Sequence, residues 1–385
     1  MYPTLTDLIY DLTGFTIPMG IQSFGMMMAL AFLFAAWLLT VELKRKEKNG
    51  LLASGIRKKL NLEKVSNTDI LLYTFFGFII GYKILFILLN YSSCTENPQE
   101  VLFSTSGNWM GGILLATIFG FLKYREKEKQ KNLEQKEIEE VVHPYQHVGN
   151  ITMVAAVSGI IGAKVFDFLE SPSDFANILE DPASVLFSGL TMYGGLIFGT
   201  IAVSYYAYKN ELKIPVLADA LAPSLMLAYG VGRIGCQIAG DGDWGIDNLS
   251  PKPSWMSFLP DWLWSFRYAH NVNNVGIQIP GCEGKHCFIL ENPVFPTPLY
   301  EAMACILLFF VLWSLRKKIK IPGILFFLYL AMNGVERFFI EKIRINSTYS
   351  ILGHHITQAE IISTCLFFTG VAGIIYFGKR KTAVT

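Results

Sequence analysis

The sequence predicts an all-α integral membrane protein with about nine transmembrane helices, the N-terminus outside, the C-terminus cytoplasmic, and an extracytoplasmic cap. Three observations carry this: scarce charge, recurring apolar runs and a one-sided distribution of Lys and Arg. Of 385 residues, 52% are hydrophobic, 14% aromatic and only 16% charged, against about 25% charged in soluble proteins. Apolar runs of about 18 or more residues, enough to cross a hydrocarbon core, recur along the whole length. The 29 Phe, 17 Tyr and 7 Trp suit aromatic belts at two membrane interfaces. A net charge of +1 makes no case for a nucleic-acid partner.

Nine spans follow, at about 19–41, 70–92, 108–123, 147–169, 185–208, 215–240, 298–315, 321–341 and 357–378. With the N-terminus outside, the inner segments hold 23 of the 32 basic residues. The outer segments hold five (Lys252, Arg267, Lys285, Lys342, Arg344), and Lys83, Lys164, Arg233 and Arg337 fall within spans. Positive charge collects on the cytoplasmic side of membrane proteins, so this asymmetry fixes the orientation. Residues 1–385 thus form a single membrane domain of a multi-pass protein.

Met1 to Pro18 lacks the positive n-region of a signal peptide, and its acids Asp7 and Asp11 alternate with apolar residues at helical spacing, so an interfacial amphipathic helix is expected. Segments 42–68 and 123–146 are charged and read as solvated linkers or helix extensions. Segment 241–297 is long, irregular and rich in Trp, Pro and Gly, which predicts a folded cap. An internal repeat of about 82 residues also shows: Gly81-Tyr82-Lys83, Val101-Leu102-Phe103-Ser104 and Gly111-Gly112 parallel Gly162-Ala163-Lys164, Val185-Leu186-Phe187-Ser188 and Gly194-Gly195. Duplicated helical hairpins at 70–123 and 147–208 are the expectation.

Cys282 and Cys287 lie in the outer loop, where a disulfide is permitted. His286 beside them leaves a metal site as the alternative, with the disulfide preferred. Cys94 lies outside without an evident partner, and Cys236, Cys305 and Cys365 sit in apolar spans as small hydrophobes.

Ionisable groups are costly in hydrocarbon and mark function by default. Arg233, Arg337 and Glu341 stand out near the outer half of the membrane. Arg337 and Glu341 are four apart and share a helix face, whereas the adjacent Glu336 points about 100° away and pairs elsewhere. The plain alternative is a salt-bridge network that only joins helices. The run from Gly232 to Gly245 (Gly-Arg-Ile-Gly-Cys-Gln-Ile-Ala-Gly-Asp-Gly-Asp-Trp-Gly) ends the sixth span. Its glycines permit close backbone approach, Asp241 and Asp243 add carboxylates, and a guanidinium at this depth suits an anionic headgroup.

Leu217-Ala218-Asp219-Ala220-Leu221-Ala222-Pro223 leading into Gly232-Arg233-Ile234-Gly235, then Gly240-Asp241 and Trp244-Gly245, resembles the signature of the prolipoprotein diacylglyceryl transferases. Ile21-Gln22-Ser23-Phe24-Gly25 resembles the start of that family's first helix. Tyr193-Gly194-Gly195-Leu196 resembles its His-Gly-Gly-Leu segment. Pro296-Thr297-Pro298-Leu299-Tyr300-Glu301 and Asn333-Gly334-Val335-Glu336-Arg337-Phe338 with Glu341 resemble its late helices. The resemblance implies a seven-span core, with 70–123 an insertion, in the inner membrane of a bacterium. It implies transfer of a diacylglyceryl group from phosphatidylglycerol to the lipobox cysteine of lipoprotein precursors, with no metal or cofactor. Carried over residue by residue, the catalytic candidates are Arg233, Arg337, Glu341, Tyr193 and Asp241. The substrate-binding candidates are Gly194, Gly195, Asp243, Gly245, Phe24, Tyr300 and Glu301.

The departures are specific. The family's His is Tyr193, its first-helix Tyr is Phe24, the Asn after Gly-Arg-Ile-Gly is Cys236, and a Glu becomes Asp241 after a one-residue insertion. No His falls in the interior of a predicted span, His147 standing at the very edge of 147–169, so the base is left open among Asp241, Asp243, His354 and His355. Two other readings stand beside this one: a catalytically silent lipid-binding relative, and a membrane transporter, whose repeats and buried charges take a different arrangement.

Overall fold

The computed structural model describes residues 1–15, 17, 20–60, 64–90, 101, 104–131, 137–172, 189, 191–346, 348–351 and 354–382. The fold is predominantly helical. A short helix α1 (Leu5–Thr13) precedes α2 (Ser23–Lys48), α3 (Asn67–Leu89), α4 (Trp109–Gln130), α5 (Val148–Glu170), α6 (Met192–Lys209), α7 (Ile214–Ala239), α8 (Thr297–Leu315), α9 (Ile324–Glu341) and α10 (Gln358–Thr382). Six helical segments are long and apolar enough to cross a membrane: Ser23–Lys48, Asn67–Leu89, Pro144–Glu170, Ile214–Ala239, Thr297–Leu315 and Gln358–Lys379. The other long helices are diluted by polar groups: Glu336, Arg337 and Glu341 in α9, the Lys/Glu-rich end of α4, and Tyr193, Tyr205, Tyr206 and Tyr208 in α6.

Three short two-stranded ribbons and three single-turn 3-10 helices complete the secondary structure among the described residues. One ribbon revises the reading of the charged segments. Helices α2 and α4 do run on to Lys48 and Gln130, but β1 (Gly55–Leu60) pairs antiparallel with β2 (Glu137–Val142). The backbone register sets Arg57 opposite Glu140 and Lys58 opposite Glu139, so the two segments meet in a ribbon. The N-terminal helix is present, with Thr4 capping it through a bond from the Asp7 amide of 3.2 Å.

Helix α7 is the hub. It packs extensively on α2, α8 and α9, and it is the most buried of the apolar helices. Its sequence explains this, because small residues let neighbouring backbones close in. A Cβ on Gly235 would lie 2.9 Å from Met27 Cβ on α2, and one on Gly230 would lie 3.2 Å from Cys305 Cβ on α8. One apolar cluster joins Leu39, Leu43, Ile151, Ala207, Leu217 and Ala220. A second joins Leu38, Met226, Cys305, Phe309, Leu312 and Leu325.

Two helical hairpins share one construction. In α3–α4 a Cβ on Gly111 would meet the Gly81 carbonyl at 2.4 Å; in α5–α6 a Cβ on Gly162 would meet the Gly194 carbonyl at 2.4 Å. Each also uses a lysine near the close approach. Lys83 donates to the carbonyls of Ser104 and Val101 and, at 2.9 Å, of Ser106, while Lys164 pairs with Asp167 at 2.5 Å. The stretch Val185–Ser188 of the sequence repeat, and Cys94, lie outside the described residues. Hairpin α3–α4 packs chiefly against itself, whereas α5–α6 also contacts α2 and α7.

The α7–α8 connection folds back over one end of the bundle. Trp244, Tyr268, Leu290 and Val294 form its core, and β3 (Ile277–Gln278) pairs with β4 (Phe288–Ile289). Cys282 and Cys287 are disulfide-bonded. The Met1 amino group donates to the Ala269 carbonyl at 2.7 Å, and Tyr268 donates its hydroxyl to Gln237 at 2.7 Å. Burial raises the Tyr268 phenol above its ordinary range.

At the opposite end of α7, Asp219 is buried and its carboxylate accepts the Gly323 amide at 2.8 Å and the Phe326 amide at 2.9 Å. Two orphan donors at the start of α9 are thereby satisfied. Replacing Asp219 by Ala is expected to cost roughly 1–3 kcal/mol of stability, the desolvation cost of the stranded donors. Equilibrium unfolding in mixed detergent–SDS micelles measures it, and an unchanged midpoint would contradict the capping role.

Candidate functional site

The site is a buried cluster of guanidinium and carboxylate groups where α7, α8 and α9 meet the α7–α8 connection. Glu301, on the first turn of α8, is at its centre and is 0% exposed. Its carboxylate is ion-paired with three arginines: Arg233 of α7, Arg337 of α9 at 2.6 Å, and Arg344 just past α9 at 3.4 Å. Asp243 faces two of the same cations, one oxygen toward Arg233 and the other toward Arg344. Glu341 lies 3.0 Å from Arg337 and accepts the Asn346 amide at 2.6 Å. Beneath Arg233 the Tyr229 ring packs with its centroid 5.2 Å from the guanidinium carbon, a favourable contact away from water.

Local structure places each group. Arg337 and Glu341 are one helical turn apart, and Arg344 follows two turns after Arg337 on the same side. Gly240, at φ 65°, ends α7 in a left-handed cap, and the chain then turns so that Asp243 lies over Arg233. The Thr297 hydroxyl holds that turn by donating to the Asp243 carbonyl at 2.7 Å. A bridge between Gly245 and Arg344, with the Ile246 amide donating to the Ile343 carbonyl at 2.9 Å, ties the connection to the end of α9. A Cβ on Gly245 would lie 2.5 Å from that Ile343 carbonyl, so glycine is required for the approach. Burial and the like charge of Arg233 pull the Arg344 guanidinium below its ordinary range.

The sequence candidates separate by position. Arg233, Arg337, Glu341, Asp243 and Glu301 form one network. Asp241 is half-buried at its edge, its carboxylate accepting the Asp243 amide at 3.3 Å. Tyr193, half-buried on the first turn of α6, is within electrostatic reach of Arg337, Glu341, Arg344 and Arg233. Gly194 and Gly195 turn toward the carbonyls of Gly162 and Gly159 on α5. Phe24 lies beside Gly235, one half-turn from Arg233. The Tyr300 hydroxyl donates to the Leu263 carbonyl at 2.5 Å and anchors the connection to α8.

Two participants, Arg344 and Tyr229, escaped sequence reasoning as site residues, and a third, Glu336, is placed differently from its reading. Arg344 was readable: spaced three after Glu341 and seven after Arg337, it repeats at helical intervals. Tyr229, one turn before Arg233, had the same signal. Glu336 was expected to pair elsewhere, but neither of its carboxylate oxygens has a hydrogen-bond partner.

Cys236, Asp241 and Asp243 bring their donor atoms within 4.8 Å of one another. As a metal site they fit poorly. Both Asp243 oxygens face guanidinium groups, and Arg233 also contacts Cys236 Sγ at 3.7 Å, so a cation would meet two fixed positive charges. The same charges suit an anion, because each guanidinium carries five N–H donors in a planar fork that matches phosphate. Replacing Glu301 by Ala strands the charges around it, and a loss of about 3–5 kcal/mol is expected. SDS-micelle unfolding tests this, and a loss below about 1 kcal/mol would show that the cluster is not held by Glu301.

A sequence model of the family described as prolipoprotein diacylglyceryl transferase matches residues 13–136 and 129–376. Among curated relatives, the phosphatidylglycerol–prolipoprotein diacylglyceryl transferase of Bifidobacterium adolescentis is 28% identical over 239 residues, covering 60% of this chain and 66% of the relative. The proteins of the same name from Corynebacterium diphtheriae and Staphylococcus carnosus are 26% and 28% identical, each over 70% of this chain and over 87% and 86% of their own lengths. On the extent of the family match, and with the signature residues gathered around one buried charge cluster, the chain belongs to the prolipoprotein diacylglyceryl transferase family.

Proposed function

We propose that this chain is a phosphatidylglycerol–prolipoprotein diacylglyceryl transferase, acting on the cysteine of lipobox-containing lipoprotein precursors. The observation that carries the reading is the convergence of Arg233, Arg337 and Arg344 on one carboxylate at the end of α7. In the reaction the acceptor sulfur attacks the glycerol carbon esterified to phosphate. The C–S bond forms, the C–O bond breaks, glycerol phosphate leaves, and the thiol proton balances the new phosphate monoester. The substrate supplies the nucleophile, so the protein's task is to hold a phosphodiester and stabilise charge on the leaving oxygen.

The three guanidiniums suit that task. The phosphate competes for them with Asp243, Glu301 and Glu341, which in its absence keep the cations in place. Tyr193, at the position of the family's His, offers a hydroxyl to the lipid or the thiol and is a poor base at neutral pH. Asp241 and Asp243 are the carboxylates nearest the outer loop. Phe24, Gly194, Gly195, Gly245 and Tyr300 shape the walls of this substrate site. Nine spans with the N-terminus outside, in the inner membrane of a bacterium, put the cluster near the outer leaflet. The α7–α8 connection then caps it outside the cytoplasm, the duplicated hairpins lie on its flank, and the Lys/Arg distribution supports this orientation.

Purified protein with phosphatidylglycerol and a lipobox peptide is expected to yield a diacylglyceryl adduct on the peptide cysteine by mass spectrometry. Replacing Arg233 by Ala should lower the rate at least about 100-fold, the scale of losing one transition-state donor. If folded wild-type protein binds the lipid and yields no adduct, the transferase reading fails and a silent lipid-binding relative takes its place.

A further inference from the structure

Among the described residues, the charge cluster has one acid, Glu336, whose carboxylate has no hydrogen-bond donor. Glu336 is on α9 next to Arg337, is 8% exposed, and has both carboxylate oxygens shut off from solvent without a hydrogen-bond donor. Every other acid in direct contact with the arginines is engaged: Asp243 by Arg233 and Arg344, Glu301 by all three, Glu341 by Arg337 and Asn346. Yet Glu336 belongs to the same electrostatic unit. The charges that act on it are Glu301 from α8, Arg233 from α7, and Arg337 on its own helix. The titratable groups on the packed elements are the Tyr229 phenol of α7 and the Cys305 thiol of α8, both within its field. Helix α10 packs against α9 one half-turn away, its Ser363 carbonyl and Phe367 backbone lying against Gly334.

The charge count then decides what Glu336 does. Three guanidiniums face three paired carboxylates, and that set is neutral, with Asp241 a further carboxylate at its edge. With Glu336 ionised the cluster carries a net negative charge and opposes an incoming phosphate. With Glu336 protonated the cluster is neutral, and each displaced carboxylate frees a cation for the anion. A buried carboxylate without a donor costs several kcal/mol more than its neutral form. Leaving Glu336 unpaired is therefore consistent with a proton on it.

We propose that Glu336 is a positioning residue whose proton sets the affinity of the arginine cluster for a phosphate-bearing headgroup. It does not touch the lipid; it acts through the charge of Glu301 and the arginines. The inference rests on the reading of the cluster as the phosphate site. Linkage makes the coupling reciprocal: if protonation of Glu336 favours the anion, the anion favours protonation. The sign is fixed. A phosphodiester keeps one negative charge across neutral pH, so affinity is high on the acid side and falls as pH rises through the titration of Glu336. The slope reaches at most about tenfold per pH unit for one linked proton.

The test measures binding of phosphatidylglycerol in micelles, and of the soluble phosphodiester glycerophosphoglycerol, across pH 5 to 9 for wild type and Glu336→Gln. Wild type should lose affinity with rising pH, and Glu336→Gln should bind tightly with no such dependence. Loss in both ligands locates the effect at the phosphate; loss for the lipid alone places it at the acyl or glycerol contacts and overturns the proposal. Identical pH profiles in wild type and Glu336→Gln also overturn it. Should Glu336→Gln fail to fold, Glu336→Asp, which keeps the carboxyl, must retain tight binding at low pH with a displaced midpoint. Infrared difference spectra supply a readout independent of binding: wild type should show a protonated-carboxyl stretch that Glu336→Gln removes. Failure of wild type to bind either anion at any pH would count against the phosphate-site reading, and the infrared band alone would then decide whether Glu336 holds a proton.

Discussion

The constraint on which the rest of this structure depends is the complete burial of Glu301 among three arginines. A lone carboxylate in that environment costs several kcal/mol, and only well-placed cations repay it. Those cations come from α7, α9 and the segment after α9, so four parts of the chain must converge at one depth. Much of the remaining architecture serves that meeting. Glycines on α7 let α2 and α8 close in, Asp219 fixes the start of α9, and the Gly245–Arg344 bridge brings the last arginine over.

The two ends of α7 therefore divide the labour. The signature segment around Asp219 acts on backbone: its carboxylate is spent on two α9 amides far along the helix from the arginines. The segment around Arg233 acts on charge. Both stretches look alike as polar residues in an apolar helix, and only their partners distinguish a cap from a site. For Asp219 and Arg233 the kind of partner depends on the neighbouring helix.

That distinction also sets how much was legible beforehand. Helices were visible because apolar runs of sufficient length have few alternatives in a bilayer, and each expected segment overlaps a described helix, although α2 and α4 run on beyond their expected ends and α6 begins after its expected start. Arg233, Arg337 and Glu341 were visible because charge in such runs is costly. The β1–β2 ribbon was not, since its charged strands lack an apolar period and gain their stability from each other. Arg344 was missed because it lies past the end of the predicted span at 341, in an outer segment where a cation needs no explanation. Gly194 and Gly195 carry a structural demand of their own as well, since a Cβ on either would meet a carbonyl of α5.

The hairpins sharpen the same lesson. α3–α4 and α5–α6 repeat the glycine crossing and the lysine near it, yet only α5–α6 packs against α2 and α7. The residue before the paired glycines differs accordingly. In α6 it is Tyr193, facing the field of four charged side chains; in α4 it is Met110, largely exposed. A helical hairpin held by two glycines and a lysine is stable without a role in the site, because the crossing satisfies itself. Proximity to the buried charges confers the role, and those charges gather around Glu301.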